Sequence, residues 1–119
     1  MWKLGSLRLE SRLLLGTEHY ADRPTMNAVH AQSGAELITL PMRQTKVDAW
    51  SNDDLLHHID RSKFHVVPTT EGCFAPEDAV STAKIASELL ETRWIKLQVT
   101  GCPKTLFPDG EGTLEAARE

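Results

Sequence analysis

Four short apolar-rich segments recur along the chain, separated by polar loops and amphipathic stretches. They lie at 13–15, 37–40, 64–67 and 94–99. Uninterrupted runs such as the first two are typical of strands that are buried on both faces of a sheet. The stretches between the segments have the length and spacing of helices. The pattern therefore predicts a β-α-β-α-β-α-β-α order, with a parallel sheet and right-handed crossovers.

Local signals predict where the hairpin and the helices begin. Gly5-Ser6 separates two short alternating runs, which predicts a small β-hairpin at the start of the chain. Aspartate and asparagine are preferred helix caps, and proline is preferred in the first helical turn. The first predicted helix runs from Pro24 to Gly34, with Asp22 as its cap and Met26, Val29 and His30 facing a core, and the second covers 53–59 with Asn52 as its cap. The third begins at Pro76 and has Ala79, Ala83, Ala86 and Leu90 as its apolar stripe. The fourth begins at Thr113, after a loop over 101–112.

Composition and charge narrow the possible functions. The 119 residues suit one domain, 1–119, with one modest core. Seventeen acidic against 13 basic residues argue against a nucleic-acid surface, which needs clustered Lys and Arg. The apolar runs are too short to span a bilayer, and residues 1–16 lack the long apolar region of a signal peptide. Cys73 and Cys102 have no paired spacing, so we expect neither a disulfide framework nor a zinc site, and a reducing cytoplasm is the default location.

Lys96 is the residue with the clearest chemical potential. The two-residue period of a strand places Lys96 on one face of the segment 94–99. The residues on the opposite face, Ile95, Leu97 and Val99, are apolar and suited to packing under helices. In a sheet that curls towards a barrel, the lysine face lies inside, near the strand ends at which (β/α)8 barrels place active sites. A lysine that loses hydration there becomes a nucleophile towards a carbonyl. The alternative is that Lys96 protects an edge strand from pairing.

Histidines and cysteines are the other candidates for chemistry. His57, His58 and His65 suggest a metal site, but adjacent histidines on a helix point about 100° apart, so we expect no metal. Cys73 and Cys102 are either reactive thiols close to a site or ordinary loop cysteines.

Three polar residues follow predicted strands. Thr69 and Thr70 end the third strand, where they either contact a substrate or satisfy the backbone of a loop. Asp109 either reaches the mouth of a pocket or forms a Pro-Asp-Gly turn.

Six short segments carry a resemblance to a known family. They are RLLLGT at 12–17, ELITL at 36–40, VVPTTEG at 66–72, PEDAV at 76–80, WIKLQV at 94–99 and LFPD at 106–109. In this order, without large gaps and with a lysine on the fourth predicted strand, they resemble the N-terminal half of the thiazole synthases of bacterial thiamine biosynthesis. No single segment is specific alone, but the ordered series is.

The resemblance implies a fold and a reaction. The fold is the N-terminal half of a (β/α)8 TIM barrel, with about four βα units after a small β-hairpin. Lys96 is the implied catalytic residue, which forms an imine with the ketone of 1-deoxy-D-xylulose 5-phosphate. A sulfur-carrier protein with a C-terminal thiocarboxylate is the implied sulfur donor, and dehydroglycine supplies the remaining ring atoms of a thiazole phosphate carboxylate. We expect no cofactor.

Two departures from the family's pattern bear on activity. The family has a glutamate two residues after the lysine, where this chain has Gln98, and a glutamine amide is not a general base. A (β/α)8 barrel typically needs about 250 residues. The resemblance places the phosphate-binding loops and a second acid in the half that lies outside these 119 residues. We therefore expect the chain alone to be inactive.

Three functions fit these observations. The first is thiazole synthase chemistry, with the second half supplied by further residues or by another chain. The second is a truncated product or relic that retains only subunit or carrier-protein binding. The third is an independent imine-forming enzyme on a half barrel.

A half barrel leaves its edge strands and its inner sheet face without partners. We therefore also expect self-association of the chain into a homo-oligomer or aggregate.

Overall fold

A computed structural model describes residues 1–42 and 55–119, and this part of the chain has a mixed α/β fold with three α-helices and two sheets. The strands are β1 (Trp2–Leu4), β2 (Leu7–Leu9), β3 (Leu14–Leu15), β4 (Leu37–Pro41) and β5 (His65–Thr69). The helices are α1 (Arg23–Ser33), α2 (Pro76–Leu90) and α3 (Gly110–Ala117), and a 3-10 helix covers Leu55–His58. From β3 to α2 the β-strands alternate with helices, as the sequence pattern predicts.

The five strands form two sheets. β1 and β2 pair antiparallel, with Trp2 opposite Leu9, and Gly5 takes a positive φ of 57° in the turn between them. This pairing confirms the predicted hairpin. β3, β4 and β5 form the second sheet in that order, and β3 runs parallel to β4 with Leu14 opposite Leu37. The predicted neighbour order of these strands is therefore confirmed.

The residue before β4 holds the end of the hairpin. The Glu36 carboxylate accepts hydrogen bonds from the backbone N–H groups of Glu10, at 2.6 Å, and Ser11, at 2.9 Å. These bonds keep the pKa of Glu36 below its usual range because they stabilise the charged form, and the bond from Ser11 has the larger effect. The start of β4 is thereby linked to the hairpin.

The first two apolar runs differ in burial. The fully buried residues of β4 are Leu37, Ile38 and Leu40, as predicted for a buried strand. Leu13 and Leu14 are 46% and 43% exposed, so the prediction that their run is buried on both faces is wrong. The reason is that β3 lies at the end of the strand order and, within the described residues, pairs only with β4. An apolar run alone does not distinguish a central strand from an edge strand.

Helix α1 begins and ends where the sequence predicts. Asp22 caps it by accepting a backbone hydrogen bond at 2.7 Å, and Gly34 ends it with a φ of 73°. Met26 and His30 are buried as predicted, whereas Val29 is 39% exposed. The prediction for Val29 is therefore wrong, and the buried face of α1 is narrower than the apolar spacing predicts.

Helix α2 also matches its prediction. It begins at Pro76, and Ala79, Ala86 and Leu90 of the predicted stripe are buried, while Ala83 is half-buried. The spacing of small apolar residues therefore identified the face of α2 that packs inward.

Helix α3 begins at Gly110, not at Thr113 as predicted. Asp109 caps the helix, because its Oδ1 accepts a hydrogen bond from the Gly112 N–H at 2.9 Å. The Thr113 hydroxyl donates to the Asp109 carbonyl at 2.7 Å. Pro103, Pro108 and Gly110 favoured a loop over 101–112 in the sequence, and the cap at Asp109 overrides this signal from Gly110 onward.

The fourth predicted strand, over 94–99, is not a regular strand. It forms a single parallel bridge, between Lys96 and Thr69. The ladder stops there because the chain turns away at Thr70, whose carbonyl accepts a hydrogen bond from the Cys73 N–H at 3.1 Å. The predicted position of the segment next to β5 is correct at Lys96, and the prediction of a continuous strand is wrong.

The described residues fall into two compact units. One comprises Met1–Leu40 and 55–66, and the other comprises 41–42 and Val67–Glu119. The second unit contains Lys96.

The prediction of one domain over 1–119 stays a prediction. Of the helix predicted over 53–59, the cap at Asn52 lies outside the described residues. No helix in the described ranges is long and apolar enough to cross a membrane.

Candidate active site around Lys96

Backbone hydrogen bonds place Lys96 beside the end of β5. Its N–H donates to the Pro68 carbonyl at 2.9 Å, and its carbonyl accepts from the Thr70 N–H at 3.2 Å. Both bonds belong to a parallel pairing centred on Thr69. Lys96 is therefore level with the carboxyl end of β5, and the carboxyl ends of parallel strands are where α/β proteins place their sites.

The packing of neighbouring residues shows which face Lys96 occupies. The buried cluster beneath the segment consists of Cys73, Ala79, Val99 and Ala116. Leu97 packs against this cluster. Because side chains alternate along an extended segment, Lys96 and Gln98 lie on the face opposite Leu97.

The Lys96 side chain is exposed, and Gln98 beside it is half-buried. The loss of hydration expected for an imine-forming lysine is therefore not supplied by the described residues. The amine is accessible to a carbonyl compound. The Gln98 amide can donate and accept hydrogen bonds there, but it cannot take up a proton as a carboxylate does.

Thr69 and Thr70 bind backbone groups. The Thr69 hydroxyl accepts from the Glu71 N–H at 3.4 Å. The Thr70 hydroxyl accepts from the Gln98 N–H at 2.8 Å and donates to the Gln98 carbonyl at 2.7 Å. Both threonines are buried. Of the two interpretations of these residues, the structure favours backbone satisfaction. No pattern in the sequence indicates that Thr70 holds the segment that carries Lys96.

Asp109 ends a short hairpin next to this segment. Its N–H donates to the Val99 carbonyl at 2.8 Å, and the Gly101 N–H donates to the Phe107 carbonyl at the same distance. The Asp109 carboxylate is engaged in capping α3. Asp109 therefore has a structural role that is more specific than the predicted turn.

The histidines are dispersed. His57 and His58 lie in the 3-10 helix, and His65 begins β5. Within 1–42 and 55–119, no three His, Cys, Asp or Glu side chains form a group that could hold a metal ion. His30 is buried, with its Nε2 2.9 Å from the Gly16 carbonyl oxygen, and so links α1 to the residue after β3.

The two cysteines have different surroundings. Cys73 is fully buried, and its Sγ lies 3.5 Å from the Thr82 hydroxyl oxygen. Cys102 is half-buried. The pKa of the Cys102 thiol is lowered because hydrogen bonds stabilise the thiolate. The largest effect comes from the Thr105 hydroxyl, followed by the N–H groups of Thr105 and Lys104.

We expect iodoacetamide to alkylate Cys102 well before Cys73 in the folded chain. The thiolate is the reacting form, so a lowered pKa moves the pH profile of alkylation to lower pH. Thr105→Val removes the hydroxyl that contributes most to the lowered pKa of Cys102, so it should move the profile back upward. Peptide mass spectrometry after a timed pulse reports each site. Equal rates at the two cysteines, or an unchanged profile in Thr105→Val, would contradict this assignment.

Comparison with known proteins agrees with the resemblance carried by the six segments. The chain matches the family "Thiazole biosynthesis protein ThiG" over residues 3–119. The thiazole synthase of Solibacter usitatus is 42% identical over 108 residues, which cover 91% of this chain and 42% of that protein. The thiazole synthase of Aquifex aeolicus is 36% identical over 116 residues, which cover 98% of this chain and 43% of that protein.

A solved structure has a similar fold. It is the crystal structure of the Amycolatopsis orientalis BexX/CysO complex, which matches with a TM-score of 0.76 and 29% sequence identity. The match covers 98% of this chain and 47% of that chain.

These matches define the class of this protein, which is an α/β protein related to enzymes of thiamine biosynthesis. The chain belongs to the ThiG family of thiazole synthases. It spans less than half the length of the curated relatives that it matches.

Proposed function

We propose that the chain carries the imine-forming part of a thiazole synthase, with Lys96 as the catalytic residue. The Lys96 Nζ adds to the ketone carbon of 1-deoxy-D-xylulose 5-phosphate, and the resulting carbinolamine loses one water to give the imine. The observation that carries this proposal is the position of Lys96 at the end of β5, on the face opposite Leu97, in a chain of this family.

The remaining reactants and the complete fold belong to the same proposal. A sulfur-carrier thiocarboxylate delivers sulfur, dehydroglycine supplies the other ring atoms, and a (β/α)8 barrel surrounds the site. The similar solved structure is a complex with a second protein, which supports a protein partner. Self-association of this chain is also proposed, and the exposed Leu13 and Leu14 support it.

A second candidate is a relic that binds a carrier protein or a sister subunit without catalysis. Gln98 favours it, since the family's glutamate at this position is the group suited to proton transfer. A downstream reading frame that resumes with the fifth strand would favour the enzyme, and its absence would favour the relic.

Borohydride trapping tests the role of Lys96. After incubation with 1-deoxy-D-xylulose 5-phosphate, hydride reduces the imine to a stable secondary amine, so a ketose phosphate adduct should be found on Lys96. Lys96→Ala should abolish the adduct. Lys84→Ala and Lys104→Ala remove other exposed lysines and should leave it in place. Trapping at Lys84 or Lys104, or an adduct that survives Lys96→Ala, would overturn the proposal.

A further inference from the structure

Thr70 is a fully buried residue that contacts two residues of the lysine-bearing segment. Its hydroxyl accepts from the Gln98 N–H at 2.8 Å and donates to the Gln98 carbonyl at 2.7 Å. Its own N–H donates to the Lys96 carbonyl at 3.2 Å. Thr70 therefore makes three of the hydrogen bonds that hold the backbone of Lys96 and Gln98.

The hydroxyl stands in for a backbone group. In a continued parallel ladder, the Gln98 N–H would donate to the Thr70 carbonyl. That carbonyl accepts from the Cys73 N–H at 3.1 Å instead, in a turn in which Gly72 has a φ of 85°. The Thr70 side chain thus extends the pairing with β5 by one residue beyond the point at which the strand itself ends.

The backbone of Lys96 and Gln98 is held from the side of β5. Lys96 N–H donates to the Pro68 carbonyl at 2.9 Å, so the hydrogen bonds to Lys96 and Gln98 all come from residues 68–70. The next residue, Val99, is held from the other side, because its N–H donates to the Thr113 hydroxyl at 3.0 Å and its carbonyl accepts from the Asp109 N–H at 2.8 Å. Loss of the Thr70 hydroxyl would remove half of the four bonds to Lys96 and Gln98.

We infer that Thr70 is a positioning residue for Lys96. Its hydroxyl fixes the backbone at Gln98 against β5, and the backbone at Gln98 sets the direction in which Lys96 and Gln98 leave the segment. Thr70 acts through this backbone contact and does not touch the substrate. The inference rests on the proposed imine chemistry of Lys96.

Three substitutions in the 119-residue chain separate positioning from stability. Thr70→Val keeps the shape of the side chain and removes the hydroxyl. Thr70→Ser keeps the hydroxyl and loses a methyl group. Ser33→Ala is a matched control at the end of α1, because the Ser33 hydroxyl also donates one hydrogen bond, to the His30 carbonyl at 2.9 Å, and accepts one, from the Ala35 N–H at 3.0 Å.

Two readouts follow these variants. Amide hydrogen exchange by NMR reports whether the Gln98 N–H stays protected. Borohydride trapping over a range of 1-deoxy-D-xylulose 5-phosphate concentrations reports the maximal rate at Lys96 and the half-saturating concentration separately. Both are measured at a temperature at which circular dichroism shows every variant folded.

Thr70→Val should accelerate exchange at Gln98 and lower the maximal trapping rate by on the order of 10²-fold, since small misplacements of a reacting group have effects of that size. The half-saturating concentration should stay unchanged. Thr70→Ser should restore both rates, and Ser33→Ala should change neither. If Thr70→Val does not fold, Thr70→Cys replaces it, because a thiol is a weak donor and acceptor of similar size.

The possible outcomes test the positioning role of Thr70 separately from the proposed imine chemistry of Lys96. Native trapping rates in a folded Thr70→Val chain, or unaltered protection of Gln98, would overturn the positioning role. Equal rate losses in Thr70→Val and Thr70→Ser would also overturn it. A native chain that forms no adduct at Lys96 refutes the proposed function, and exchange at Gln98 then decides alone whether Thr70 holds the segment.

Discussion

The 119-residue chain is expected to form no thiazole phosphate carboxylate when it is supplied with 1-deoxy-D-xylulose 5-phosphate, a thiocarboxylated sulfur carrier and dehydroglycine. General acid–base catalysis typically contributes about 10²–10⁴-fold to a rate, and Gln98 cannot supply it. Holding a reactant in place contributes further. The relatives devote more than half of their length to residues beyond the region that this chain matches. Slow imine formation at Lys96 is the step that should remain.

Product formation is measured by chromatography, with a full-length thiazole synthase of the family as the positive control. Gln98→Glu is the informative variant, since it returns a carboxylate next to Lys96 without adding the rest of a barrel. It should leave the chain inactive. Measurable product from the unassisted chain would contradict the expectation. Product that appears with Gln98→Glu would show that this one side chain accounts for the missing catalysis.

The elements predicted correctly are those whose signals are local. Asp22 and Gly34 mark the ends of α1 because each acts on its own turn of backbone. The face of Lys96, which the alternation of neighbouring residues predicts, stays a prediction. The start of α3 differs from its prediction because of a local cap at Asp109, whereas the failed prediction for the first apolar run depends on distant partners. Leu13 and Leu14 are exposed because the number of strands beside β3, which an apolar run does not encode, decides their burial.

The site shows the same division. A lysine at the end of a strand is visible in the sequence, but the residue that holds its backbone is not. Thr70 and Gln98 are 28 positions apart, and their contact follows from the turn that diverts the Thr70 carbonyl. Side chain–backbone pairing of this kind has no periodicity. The lowered pKa of the Cys102 thiol likewise follows from the local geometry of its loop, which the residue types alone do not fix.

Ile38→Ala should destabilise the chain far more than Ile85→Ala, although the chemical change is the same. Ile38 is fully buried in the central strand of the sheet, whereas Ile85 on α2 is 53% exposed. Truncating a buried isoleucine removes favourable burial and leaves a cavity, at a cost of about 2–5 kcal/mol. This cost is a large part of the roughly 5–15 kcal/mol that stabilises a typical domain. Surface substitutions usually stay within about 0.5 kcal/mol. Urea unfolding followed by circular dichroism gives both free energies of unfolding, and equal midpoints for the two variants would show that β4 does not form the core.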